Sequence, residues 1–143
     1  MTNHKKKKLI NSTNSCIFCK IIKGEIPCNK VFEDKNFLVF LDIKPASFGH
    51  LLIIPKKHIV WMQDAPDKTI ASIFKLTTKM MRVIKKSLNC DFVQMSVVGN
   101  EVPHFHIHLI PRYKDDNLPN LPTKEYKNTE ARKIQNKIIK TIK

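Results

Sequence analysis

The chain has 143 residues, enough for one domain with its own hydrophobic core and too few to call for a second. No apolar run approaches the roughly 18 residues of a membrane span, and no signal-like apolar stretch follows the lysines at 5–8, so a membrane partner is excluded and a soluble, cytoplasmic protein is expected. The formal net charge of +14 favours polyanions, but lysine supplies nearly all of it, with only Arg82, Arg112 and Arg132 to make bidentate phosphate contacts, so a dedicated nucleic-acid surface is disfavoured.

Residues 1–14 are polar and basic and read as a mobile tail. Cys16 and Cys19 then stand at C-x-x-C spacing. In a reducing compartment that spacing fits half of a zinc site or a redox pair, whereas Cys28 and Cys90 have no partner spacing and read as ordinary residues. Residues 19–24 predict a short helix stopped by Gly24 and Pro27. Residues 30–33 and 37–42 predict a hairpin about the polar turn 34–36, and 50–55 a largely buried strand behind the loop 45–49. From 67 to 89 the apolar residues Ile70, Ile73, Phe74, Leu76, Met80, Ile84 and Leu88 recur every three or four positions. This is the one long helix, with Asp67 as its N-cap and Lys85 and Lys86 near its C-terminus. Residues 92–98 and 103–110 predict two strands that pair antiparallel across a short loop, the second ending at Pro111. Residues 115–123 are irregular, and 129–143 have helical propensity without a wide apolar face, so that helix belongs at the periphery. The elements do not alternate as βαβ units. They predict an α+β domain over 15–114, an antiparallel sheet of about five strands with one face on the long helix, followed by a C-terminal loop and helix over 115–143.

Residues 104–108 read His-Phe-His-Ile-His. On a strand, His104, His106 and His108 share one face, with Phe105, Ile107 and Leu109 on the other. Successive imidazoles then sit roughly 7 Å apart, about the span of a phosphate group. Imidazole serves near neutral pH as nucleophile, proton donor or metal ligand. Burying three on one face needs polar partners that an apolar core does not offer, so the row points to a phosphorylated substrate or a metal.

This pentad with Leu109-Ile110 behind it, CIFCKIIKGEIP at 16–27, FLVFLDIKP at 37–45 and GHLLIIPKKHI at 49–59 together resemble the histidine triad, or HIT, family, in its Hint-like bacterial branch with a C-x-x-C zinc knuckle. The resemblance runs from 16 to about 112. It implies a HIT-like fold and a homodimeric nucleotidyl hydrolase or transferase. The bond cleaved would be that at the α-phosphate of nucleoside phosphoramidates, adenylylated conjugates or dinucleoside polyphosphates. His106 would be the nucleophile that forms a nucleotidyl-histidine intermediate, its other ring nitrogen held by an acceptor such as a backbone carbonyl. His108 would donate to phosphate oxygens and His50 would support proton relay. A purine nucleotide would be met by Phe18, Ile21, Leu41, Asp42 and Ile43, with Asp42 on the ribose hydroxyls and Asn100 in the phosphate loop. A structural zinc would be held by Cys16, Cys19, His58 and His104, a closed two-sulfur, two-nitrogen set.

The chain departs from the resemblance at 98–103, where a short Val-Gly-Asn-Glu-Val-Pro run replaces a longer Gly-rich turn ending in a hydroxyl residue. Glu101 puts a carboxylate near the phosphates, and this keeps a second reading in play, a nonenzymatic nucleotide-binding protein on the same fold. A nucleic-acid end-processing role is disfavoured, because no further Cys or His ligands follow Arg112.

Overall fold

The computed structural model describes residues 13–142, so the basic tail expected over 1–14 lies almost wholly outside the described residues. In chain order it contains helix α1 (Ile17–Ile22), strands β1 (Lys30–Glu33), β2 (Phe37–Leu41) and β3 (Leu51–Pro55), and a 3-10 turn (Met62–Asp64). Helix α2 (Asp67–Leu88), strands β4 (Phe92–Ser96) and β5 (Ile107–Arg112), and helix α3 (Glu130–Thr141) follow. The strands form one antiparallel sheet in the order β1-β2-β3-β5-β4, the α+β architecture expected.

The β1–β2 hairpin turns where the Asp34 carboxylate accepts from the backbone N–H of Asn36 at 2.8 Å and of Phe37 at 2.7 Å. The runs at β2 and β3 are apolar without alternation, and both faces of these strands are covered. Phe37, Val39, Leu51 and Ile53 pack on Ile73, Leu76, Met80 and Ile84 of α2. Leu38, Phe40, Leu52 and Ile54 pack on Cys16, Phe18 and Cys19 at the start of the chain. On β5, Ile107 and Leu109 continue the first cluster, and the opposite face carries His108, with His104 and His106 just ahead of the strand. Ile53 and Ile107 are fully buried register partners, each worth about 2–3 kcal/mol of apolar burial. A one-residue slip would send His108 into that core, so the pairing that stabilises the sheet also fixes which way the histidines point.

Several boundaries differ from expectation for local reasons. Helix α1 starts at Ile17, not residue 19, because the Cys16 thiol caps it by accepting from the Cys19 N–H. The N-cap of α2 is Pro66, which has no side-chain cap; Asp67 is the first helical residue, where its charge faces the positive end of the helix. β4 ends at Ser96, not 98. β5 begins at Ile107 rather than 103, since the Phe105 N–H turns to the Ile59 carbonyl at 2.6 Å and the His104 N–H to Val102 at 2.8 Å. It also runs through Pro111 to Arg112. Beyond Leu109 the strand is bonded to β4 alone, and a missing N–H is tolerated there. Helix α3 is exposed along its whole length.

Candidate active site and metal centre

Cys16 caps α1, Cys19 lies one turn further on, His58 follows the exit of β3, and His104 precedes β5. These four bring one donor atom each to within 4.8 Å of one another. The Cys16 Sγ is 3.4 Å and the Cys19 Sγ 3.6 Å from His104 Nδ1, and Cys19 Sγ is 3.2 Å from His58 Nδ1. A tetrahedron with zinc–ligand bonds of 2.0–2.3 Å has edges of roughly 3.3–3.8 Å, so the donor set fits such an ion. His104 is oriented for ligation, because its Nε2–H donates to the Pro55 carbonyl at 2.7 Å and leaves the Nδ1 lone pair facing the thiols. Burial pushes His104 down to about 4 against the opposing pull of the Pro55 carbonyl, which keeps the ring neutral. Burial, with Cys16 alongside, pushes the Cys19 thiol up to about 11.

The other two triad histidines open on a different space. His106 Nδ1–H donates to the His104 carbonyl at 2.7 Å, so its lone pair is on Nε2. The Phe18 ring stands edge-on to it with centroids 5.0 Å apart. His106 and His108 are 4.9 Å apart by centroid, closer than the roughly 7 Å of an ideal strand, because the chain leaves strand geometry before Ile107 and the rings lean together. His50, just before β3, places Nε2 2.9 Å from His108 Nδ1 and 3.7 Å from an Asp42 carboxylate oxygen. Its Nδ1 accepts from the Ala46 backbone N–H at 3.0 Å. Burial lowers both His50 and His108 despite the nearby Asp42 and Glu101 carboxylates. Among the described residues, His108 Nε2 is the buried side-chain nitrogen or oxygen atom without a hydrogen-bond partner.

A cavity of about 210 Å³ lies in front of these rings. Phe18, Ile21, Leu41, Asp42 and Ile43 line it together with His106 and His108; Asn100 does not line it and is exposed. Its walls also include Cys28, which the sequence offered as an ordinary residue, Pro27, which the sequence offered only as a helix stop at the end of the 16–27 motif, and Val102, which carries no motif. Glu101 reaches the same space, with one donor atom within 4.8 Å of those of His106 and His108. The depression among Lys124, Tyr126 and Ile134 is formed by exposed residues and holds no such convergence. The Cys28 thiol, the Ala46 N–H and the wall at Val102 are brought in by the fold, and no local pattern marks them.

The sheet carries a histidine-lined cavity on one face and a two-Cys, two-His cluster beside it, and comparison with known proteins identifies the class to which this arrangement belongs. Residues 23–115 match the HIT domain, and the chain belongs to the HIT family. An adenosine 5′-monophosphoramidase of Schizosaccharomyces pombe is 41% identical over 104 residues, which cover 71% of this chain and 77% of that protein. The crystal structure of a Streptococcus mutans UA159 protein matches with a TM-score of 0.83 and 33% identity, covering 93% of this chain and 88% of the other. A Zn-bound histidine triad family protein from Mycobacterium smegmatis matches with a TM-score of 0.71 and 32% identity, covering 80% of this chain and 86% of the other. Among the described residues no helix is long and apolar enough to cross a membrane.

Proposed function

We propose that this protein is a HIT-type hydrolase that cleaves the bond between the α-phosphorus of a purine nucleotide and its leaving group, through a covalent nucleotidyl-His106 intermediate. The observation that carries this reading is the pairing of a His106 whose lone pair is on Nε2 with a buried, unpartnered His108 Nε2 on the same cavity. The S. pombe relative, named as an adenosine 5′-monophosphoramidase, supports phosphoramidates as the first substrates to try, with adenylylated conjugates and dinucleoside polyphosphates as further members of the class.

In the first step His106 Nε2 attacks the α-phosphorus. A P–N bond forms to the ring, the bond to the leaving group breaks, and the leaving group departs with the bonding pair and takes up a proton. In the second step water attacks the same phosphorus, the P–N bond breaks, and the nucleoside monophosphate leaves with His106 restored. The His106 ring is held in attacking orientation by the His104 carbonyl and by Phe18. His108 Nε2 donates to a non-bridging phosphate oxygen, which gains charge as the phosphorus is attacked. Phe18, Ile21, Leu41 and Ile43 enclose the base, and Asp42 accepts from the ribose hydroxyls. Asn100, exposed on the loop ahead of the triad, reaches a phosphate only if that loop folds over the ligand.

Cys16, Cys19, His58 and His104 would hold zinc. The zinc supplies structure, since four protein donors leave no open position for substrate. His104 is then both ligand and, through its carbonyl, the anchor of the nucleophile. The protein works as a cytoplasmic homodimer; the edge strand β4 exposes Phe92 and Met95, apolar surface that a second copy would cover.

Release of adenosine monophosphate from adenosine 5′-phosphoramidate tests the proposal. His106→Ala is expected to lower kcat on the order of 10⁴-fold, as loss of a covalent nucleophile does. Glu101 favours the competing nonenzymatic reading by placing a carboxylate beside the phosphate position. Nucleotide binding without turnover of any of the three substrate types would establish it.

A further inference from the structure

The Ala46 backbone N–H points at a ring nitrogen from which it cannot accept. Because a backbone N–H only donates, His50 Nδ1, 3.0 Å away, must offer a lone pair. A neutral His50 therefore carries its proton on Nε2. That atom is 2.9 Å from His108 Nδ1, against 3.7 Å to Asp42, so the His50 proton is donated to His108. His108 Nδ1 is thereby an acceptor, and a neutral His108 has its proton on Nε2, the buried atom with no protein partner.

We propose that Ala46 is a positioning residue that acts through its backbone: its N–H sets the direction of the chain Ala46–His50–His108 and holds His108 Nε2 as a hydrogen-bond donor aimed at the substrate phosphate. The proposal rests on the nucleotide reading above for the identity of the acceptor, whereas the proton arrangement itself is independent of it. Both rings are buried, so no solvent exchange of partners competes with the backbone donor.

The arrangement also decides what kind of ligand the site takes. Glu101, His106 and His108 bring donor atoms within 4.8 Å of one another, a convergence of two imidazoles and a carboxylate that would suit a transition-metal ion. With its Nε2 protonated and its Nδ1 engaged by His50, His108 has no lone pair free to give there. Reversing it would place a proton on His50 Nδ1, directly opposing the Ala46 N–H. The same ring that turns away a cation presents N–H to an anion, so the backbone of an exposed loop residue selects phosphate over metal at the nucleophile.

The test reads tautomers directly, by long-range ¹⁵N–¹H spectra of the zinc-saturated, full-length protein labelled at histidine, near neutral pH. The wild type is expected to show His50 and His108 both neutral with the proton on Nε2. Ala46→Pro removes the donor from an exposed loop position and is expected to release His50 and His108 into a mixture of tautomers. Adenosine monophosphate, titrated into both proteins, is expected to bind about twofold more weakly to the variant, since an even mixture leaves about half of the molecules with the Nε2 donor in place. A wild-type His108 with its proton on Nδ1 would overturn the proposal outright, whether or not the variant folds. A folded Ala46→Pro protein that keeps both Nε2 protons would overturn the role of Ala46. Failure of the hydrolase reading would appear separately, as correct tautomers in a protein that turns nothing over.

Discussion

Acidification of the metal-free protein from neutral pH towards about pH 4 is expected to remove about 3 kcal/mol of stability through His104 alone. This ring is fully buried and is held from its ordinary 6.5 down to about 4, principally by burial, with the Pro55 carbonyl opposing. A pKa lower in the folded than in the unfolded state means that the unfolded chain binds the proton first as pH falls. The contribution is therefore complete above pH 6.5, declines through the window from 6.5 to about 4, and is gone below it. Each tenfold difference in proton affinity between the two states is worth about 1.4 kcal/mol, and the interval from 6.5 to about 4 sets the total. His50 and His108 are also lowered by burial and lose stability in the same direction as pH falls, so the wild-type loss includes theirs. Urea unfolding in the presence of a chelator, at a series of pH values across the window, measures the sum. His104→Gln isolates the share, and it is expected to flatten the profile by about 3 kcal/mol while costing stability at neutral pH. A wild-type profile that is flat, or a variant with the wild-type slope, would refute the reasoning.

Three further outcomes follow from particular contacts. Zinc binding at neutral pH is expected to release at least one proton per ion, since the Cys19 thiol, pushed up to about 11, is neutral before coordination; an indicator dye in weak buffer measures it, and zinc uptake with no acidification would contradict the ligand set. Gly49 sits at φ +97° where an added Cβ meets the Leu88 side chain and comes within 3.3 Å of Pro111. Gly49→Ala is expected to cost roughly 1–2 kcal/mol in urea unfolding, and an unchanged midpoint would show that the loop before His50 is free to move. Asp34→Ala removes the acceptor of two backbone N–H groups at the β1–β2 turn and is expected to cost about 1 kcal/mol without altering turnover, read by the same unfolding assay and by AMP release.

What the sequence made legible divides along a physical line. The 3.6-residue period of Ile73, Leu76, Met80 and Ile84 located α2 because one helix buries one stripe, and the continuous apolar runs at 37–41 and 51–55 located strands covered on both faces. Alternation at 104–109 correctly separated the histidine face from Phe105, Ile107 and Leu109, which lie in the core against α2. The start of β5 was not legible, since it depends on the Phe105 N–H finding the Ile59 carbonyl, a long-range backbone pairing with no local signature. The start of α1 was missed because its cap is a thiol, outside the usual Ser, Thr, Asp and Asn set. At the site, residue types and spacing marked 16, 19, 104, 106 and 108, the family resemblance added 50 and 58, and the fold gathers them into two clusters. The Ala46 N–H and the walls at Cys28 and Val102 did not, because a backbone donor and a wall residue outside any motif look the same in sequence as any other loop residue.

The most direct test of the central claim is intact-protein mass spectrometry after brief, acid-free quenching of the protein with adenosine 5′-phosphoramidate, wild type beside His106→Ala. An adenylyl-sized gain in mass on the wild type, absent from the variant, is the predicted result. Adenosine monophosphate released with no adduct, or an adduct that persists without His106, would contradict nucleotidyl transfer through that ring.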